Sequence, residues 1–196
     1  MRIRSMILSV GMVCGLVSLV GGSTALADVE TYTVDPAHST VLFRVKHLDV
    51  TYIYGRFNKM SGTFDFDAKE PAKCSFEITI NVRSLDTNAN GRDKHLKSPD
   101  FFNVKEFPKA TFKSTAVERT GKNEYQVTGD FALHGVTKSI TVPMIHSGFG
   151  PGLRGGHIRG FECTFTIQRS DFGMNFMLGK LGDEVRITVS LEGKKE

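Results

Sequence analysis

Tryptophan is absent from this chain of 196 residues, cysteine occurs three times and proline six times. With 40% hydrophobic and 23% charged residues, so little proline argues against a collagen-like or low-complexity chain, and the composition is that of a globular protein. Cysteines this few, with no Cys-x-x-Cys pair, exclude the usual zinc-finger and thioredoxin-type motifs. Charge of one sign is also scarce. The formal net charge is +4, and it falls to +2 once Arg2 and Arg4 are set aside. The remaining Lys and Arg are interspersed with Asp and Glu, without the basic run that nucleic-acid binding requires. After residue 27 no apolar stretch approaches the roughly 20 residues of a spanning helix.

What is present begins with a targeting pattern. Arg2 and Arg4 precede an apolar stretch from Met6 to Val20, and Ala25-Leu26-Ala27 is a small-x-small cleavage signature. The pattern predicts a secretory signal peptide over 1–27, cut after Ala27, and one soluble exported domain over 28–196. Cys14 follows Val13, which does not match a lipoprotein signal, so it leaves with the signal segment. Cys74 and Cys163 remain for an oxidising compartment, which permits one disulfide. Each is nevertheless in phase with apolar neighbours, Cys74 with Phe76 and Ile78, Cys163 with Phe161 and Phe165, as small buried side chains are.

The rest of the chain alternates with period two. Val41, Phe43 and Val45 form one apolar phase, followed by Phe64 and Phe66, then Phe76, Ile78, Ile80 and Val82. Ala110, Phe112 and Ala116 continue it, then Tyr125, Val127, Phe131 and Leu133, and Ile140, Val142 and Met144. Phe161, Cys163, Phe165 and Ile167, and finally Val185, Ile187, Val189 and Leu191, complete it. About eight to ten strands result, with turn signals at Thr120-Gly121-Lys122-Asn123 and His134-Gly135. A meander with one apolar face hides that face and its edges by closing, so the pattern predicts an all-β, antiparallel up-and-down barrel of about eight strands. A sandwich would bury the same face. All 15 Phe fall in the 169 residues after the signal segment, and such an interior suits a barrel able to hold one small ligand.

Two stretches break the alternation. Asn88-Ala89-Asn90-Gly91, then Arg92 to Lys97 and Ser98-Pro99-Asp100, predict a short helical insertion near 90–103 that caps one barrel end. Five Gly and one Pro between Gly148 and Gly156 lack a phosphate-loop ending and predict a mobile connection.

Catalytic patterns are missing. No His-Glu-x-x-His or Gly-x-Ser-x-Gly occurs among the six His and the serines, and Asp65 and Asp67 alternate with Phe64 and Phe66 onto the wet face. The nearest approach to a metal set is Asp35, His38, His47, Asp93 and His95, should the fold bring them together. An aromatic interior, an export signal and no catalytic set together indicate a carrier of something apolar.

Several motifs then fall in a familiar order. Tyr32-Thr33-Val34-Asp35-x-x-His38-Ser39, Phe43-x-Val45-x-His47, Gly55-x-Phe57 and Gly62-x-Phe64 come first. Ser84-Leu85-Asp86-Thr87, Arg92-Asp93-x-His95-Leu96 and Asp100-Phe101-Phe102 follow, then Phe107-Pro108-x-Ala110-x-Phe112-x-Ser114 and Gly129-x-x-x-Leu133-x-Gly135-Val136-Thr137-Lys138. Across essentially the whole of 28–196 the chain resembles the YceI-like family of exported lipid-binding proteins. The resemblance implies a lipocalin-like barrel, usually periplasmic, holding a polyisoprenoid or similar long-chain amphiphile, without catalysis or a cofactor. The Gly-x-Trp signature of true lipocalins is missing, so the similarity to those is one of shape.

On this reading Phe43, Val45, Phe64, Phe76, Ile78, Ile80, Phe112, Phe131, Leu133, Phe161, Phe165 and Ile167 line a tunnel for the tail. His38, His47, Arg92 and His95 offer donors to a headgroup at its mouth, although Arg92 and Asp93 equally suit a structural ion pair. Two alternatives stay open: a metal- or haem-dependent redox protein using a bound quinone with His38, His47 and His95 as ligands, and a dry-cored barrel acting through its surface in stress or interaction. A homodimer is likewise left open.

Overall fold

The computed structural model describes residues 29–196; the expected signal segment, 1–27, lies outside the described residues. The strands are β1 (Glu30–Val34), β2 (Thr40–His47), β3 (Thr51–Phe57), β4 (Met60–Phe66), β5 (Ser75–Asn81), β6 (Leu85–Asp86), β7 (Lys109–Arg119), β8 (Glu124–Leu133), β9 (Val136–Pro151), β10 (His157–Gln168) and β11 (Leu181–Lys195). One helix, α1 (Asn90–Leu96), lies between β6 and β7.

These eleven segments make eight staves. β1 and β2 run in line along β11, with Val34 opposite Gly193 and Thr40 opposite Ser190. β3 and β4 run in line along β2 and β1, with Val41 opposite Phe57 and Tyr32 opposite Phe64. β5 and β6 do the same along β4 and β3, and β7 to β11 follow as a meander in chain order. Because the first stave pairs with the last strand, the sheet closes into an antiparallel up-and-down barrel. No described helix is long and apolar enough to cross a membrane.

The breaks have local causes. Pro36 has no amide hydrogen to donate, and the Asp35 carboxylate accepts the Ala37 amide instead, turning the chain out between β1 and β2. The break at Asn58-Lys59 meets the 3-10 turn Val82–Ser84 of the next stave, where Asn58 N donates to Ser84 O and Asn81 N to Lys59 O. In β7 a bulge between Ser114 and Ala116 advances the phase by one residue. Val117 is therefore buried and Ala116 exposed, reversing the alternation expected for Ala116.

The strand pattern also corrects the glycine-rich reading. β9 continues through Gly148 and Gly150, opposite Gly160 and Ile158, so the first four residues of that stretch are paired strand and only 152–156 form the connection. Asp67, expected on the wet face, lies just past β4 and is buried, its Oδ1 accepting the Lys69 and Glu70 amides. Cys74 and Cys163 are both free thiols, not a disulfide.

One barrel end is plugged by rings. Tyr32 stacks on Phe64 at 4.9 Å, Phe64 stacks on Phe76 at 5.6 Å, and Phe161 meets Phe64, Phe66 and Phe76 edge-on. Beside them Arg159 is buried, donating from Nε to Tyr32 Oη at 2.9 Å and from Nη2 to Glu30 Oε2 at 2.9 Å. Its Nη1 donates to His146 Nε2 at 3.1 Å, and burial with this nearby cation pushes the His146 pKa down, keeping that nitrogen free to accept. Hydrogen bonds from Lys195, Tyr32 and Arg159 hold the Glu30 carboxyl at about 2. The buried charge is thus both paired and hydrogen-bonded, the condition under which burial is tolerable.

The plug depends on Gly193, where any Cβ would fall inside contact distance of the Phe64 ring and against Tyr32 Cβ. Gly193→Ala is expected to lose about 1–3 kcal/mol by overpacking, measured as a lower urea midpoint at unchanged slope.

Candidate functional site

Above the plug the staves enclose a cavity of about 160 Å³. A buried water needs only about 10–15 Å³ of such room but also two to four polar partners. This wall has the room and almost none of the partners, so an apolar guest suits it better than water. Inward phases supply it: Val41, Phe43 and Val45 from β2, Phe76, Ile78 and Ile80 from β5, Phe112 from β7, and Phe131 and Leu133 from β8. Phe161, Phe165 and Ile167 from β10 and Val185, Ile187, Val189 and Leu191 from β11 complete the circle.

Eleven of the twelve residues expected on the tunnel wall border this cavity. Phe64 does not. Its ring lies in the plug between Tyr32 and Phe76, one layer below the floor that Phe76 and Phe161 form. Period two places a side chain inside the barrel but carries no information about its height there.

The opposite end is the mouth. Leu96, Phe101 and Phe102, from α1 and the turns after it, close over the wall, with Phe102 edge-on to Phe57 at 5.7 Å. Helix α1 has Ala89 at its N-cap position with no side-chain cap. Asp93 instead reaches back to accept the Thr87 amide at 2.9 Å and hydroxyl at 2.5 Å, while Arg92 donates to Thr87 Oγ1 and O at 2.7 and 2.6 Å. Arg92 and Asp93 therefore both grip Thr87, which differs from the direct ion pair considered for them.

Three of the four headgroup candidates lie at the mouth. His47 continues the inward phase of β2, Arg92 is tied to Thr87, and His95 Nε2 is 2.9 Å from Asp100 Oδ2 with its ring against Phe101. His38 is elsewhere. It is exposed on the outer wall where β1 meets β2, its Nδ1 2.8 Å from Asp35 Oδ2. Nine residues of extended chain, about 30 Å at the usual rise, separate His38 from His47, so His38, His47 and His95 do not converge on a metal. Among the described residues the group that does gather is Asp35, His38 and Glu192, and there Lys194 Nζ sits 2.7 Å from Asp35 Oδ2. Hydrogen bonds from Lys194 and His38 hold the Asp35 carboxyl far below its usual range, and Asp35 raises the His38 pKa.

Sequence reasoning missed Arg169. It borders the cavity, is 3% exposed, and has no carboxylate partner within salt-bridge distance among the described residues. Its guanidinium donates to the carbonyls of Gly182, Met174 and Leu181 at 2.9, 2.5 and 3.0 Å, drawing the 173–181 loop across the mouth. Glu162 also borders the cavity but belongs to the outward phase of β10. The only local signal for Arg169 was a cation directly following an inward-outward strand, which surface positions share.

A closed up-and-down barrel around an apolar cavity, plugged at one end and loop-covered at the other, defines the lipocalin-like class of fold. The chain belongs to the YceI-like domain family, which matches residues 32–193. It is 42% identical over 177 residues to Protein YceI of Escherichia coli O6:H1, covering 89% of this chain and 91% of that one. Among solved structures, BcnA of Burkholderia cenocepacia superposes with a TM-score of 0.74 at 31% identity, over 81% of this chain and 98% of BcnA. A polyisoprenoid binding domain from Saccharophagus degradans shares the fold, with a TM-score of 0.66 at 14% identity, over 86% of this chain and 100% of that domain.

Two outcomes follow. Arg169→Met leaves three carbonyls without their donor, and stability should fall by about 2–4 kcal/mol, with faster amide exchange across 174–182. Burial pushes the Cys163 thiol up to about 11 and raises that of Cys74. At pH 8 neither should react with a thiol-specific disulfide reagent until guanidinium unfolds the barrel.

Proposed function

We propose that the protein is an exported, non-catalytic carrier or storage protein, which holds a polyisoprenoid or similar long-chain amphiphile, such as an isoprenoid quinone or polyprenyl lipid, in the barrel cavity. The observation that carries this reading is the cavity wall: apolar residues from floor to mouth, with Arg169 as the one buried charge among the described residues that border it. The shared fold of the Saccharophagus degradans polyisoprenoid binding domain and membership of the YceI-like family point the same way. The signal pattern in 1–27 supports export, with the periplasm as the compartment.

Affinity needs no covalent step. Each buried isoprene unit, five carbons at roughly 0.8 kcal/mol each, gives a gross gain near 4 kcal/mol, against an association cost of at least about 4 kcal/mol, so the length of tail that runs from the cavity through the mouth supplies the surplus. The tail lies against the rings of Phe76 and Phe161, and the head is left at the mouth near His47 and His95.

The test is native and then denaturing mass spectrometry of protein recovered from its own periplasm, with metal analysis of the same sample. A stoichiometric prenyl lipid or quinone is expected. An empty barrel, or stoichiometric metal in place of lipid, overturns the carrier. Phe131→Asp and Phe165→Asp should abolish retention by placing an unpaired carboxylate in the wall, and Val189→Phe should reduce it in a folded protein by filling the space.

A further inference from the structure

Apolar side chains that neither the core nor the cavity uses gather at the mouth. Leu48, Val50, Phe176, Met177 and Leu178 are all exposed, Val50 at 82%. They sit on two loops far apart in sequence, the β2–β3 turn and the 175–181 loop, which are joined where Leu48 N donates to Lys180 O at 2.8 Å. Phe176 then packs edge-on against Phe101 at 5.3 Å and His95 at 5.5 Å, so the exposed patch is continuous with the cavity rim.

The turn chemistry is unusual in the same place. Val50 N donates to His47 O, and the two central residues, Leu48 and Asp49, have φ of +51° and +56°. Such a hairpin turn favours Asn-Gly, and a leucine there is strained. Met177, at the other tip, has φ of +56°. Neither local geometry nor burial accounts for apolar residues at these two positions.

Four lysines at the margin of the patch are free to meet an anion. Lys46, Lys94, Lys97 and Lys180 form no salt bridge among the described residues. Of the acids nearby, Asp93 accepts from Thr87, Asp100 pairs with His95 and Asp183 accepts from Ser170, while Asp49, Asp86 and Glu184 form no salt bridge among the described residues. An apolar centre with a cationic margin matches a surface that is anionic outside and apolar beneath, which is how interfacial lipid-binding segments are built.

We propose that the mouth docks on an anionic phospholipid membrane, with Leu48, Val50, Met177 and Leu178 entering the headgroup boundary and the four lysines contacting phosphates. Docking would open the cavity directly onto lipid, and the loop that Arg169 secures would be the part in contact. This goes beyond the carrier reading, since it concerns the outer surface and holds whatever the cavity contains.

The test is co-sedimentation of the exported protein, its N-terminus fixed by mass, with vesicles of phosphatidylethanolamine and phosphatidylglycerol, compared with phosphatidylcholine alone. Wild type is expected to favour the anionic vesicles and to be released by salt. Val50→Asp with Leu178→Asp should reduce binding by about tenfold or more at an unchanged thermal midpoint. Lys46→Glu with Lys180→Glu, which keeps the apolar tips, should remove the preference for anionic lipid. Leu153→Asp, at the exposed β9–β10 tip on the plugged end, should leave binding unchanged. Wild type that fails to bind, binding that survives both double substitutions, or loss through Leu153→Asp overturns the proposal. So does a dimer in light scattering that Val50→Asp with Leu178→Asp dissociates, because the patch would then be a seam between copies.

Discussion

The pairing of β11 with β1 and β2 is the constraint on which the rest of the molecule depends. Until the last strand meets the first stave, the meander has two open edges and an apolar face exposed along its length. Once Val34 lies opposite Gly193 and Val41 opposite Val189, the circle is complete and every inward phase is committed. A slip of one residue in that seam would turn Val185, Ile187, Val189 and Leu191 outward together. The two ends of the domain are thereby joined, so the barrel's integrity rests on contacts between its most distant residues.

Closure also divides the interior by height. The plug takes the rings that pack tightest, with Arg159, Tyr32 and Glu30 satisfying one another beside them, and leaves the cavity above with almost nothing polar to hold water. At the mouth the balance is different. There the wall is completed by loops and a short helix, whose backbone needs partners, and Arg169 and Thr87 serve as the points where those loops are fastened. The ring-packed end sets the cavity's depth and the looped end covers its mouth, a division that fits the carrier proposed above.

Much of this was legible beforehand because strand alternation is a local property. The barrel class, the helical insertion and most wall residues follow from period two and from the stretch where it fails. The exceptions are informative. Phe64 shares the phase of the wall residues yet belongs to the plug, because alternation reports the face and not the level. Ala116 and Val117 exchange roles at a bulge, which depends on how β7 pairs with β8. The glycine-rich stretch begins as strand, Gly148 to Pro151, because β10 lies beside it.

By itself, the sequence determined which side chains face inward, where the chain turns, and that the interior is aromatic, since each depends on neighbours within a few residues. Tertiary structure alone decided which inward residues border a void, that His38 is remote from His47 and His95, and that Arg169 spans three carbonyls at the mouth. It also brought Leu48 and Val50 beside Met177 and Leu178. Those outcomes depend on where distant staves meet around a closed circle, and closure is a property of the whole sheet that no local window contains.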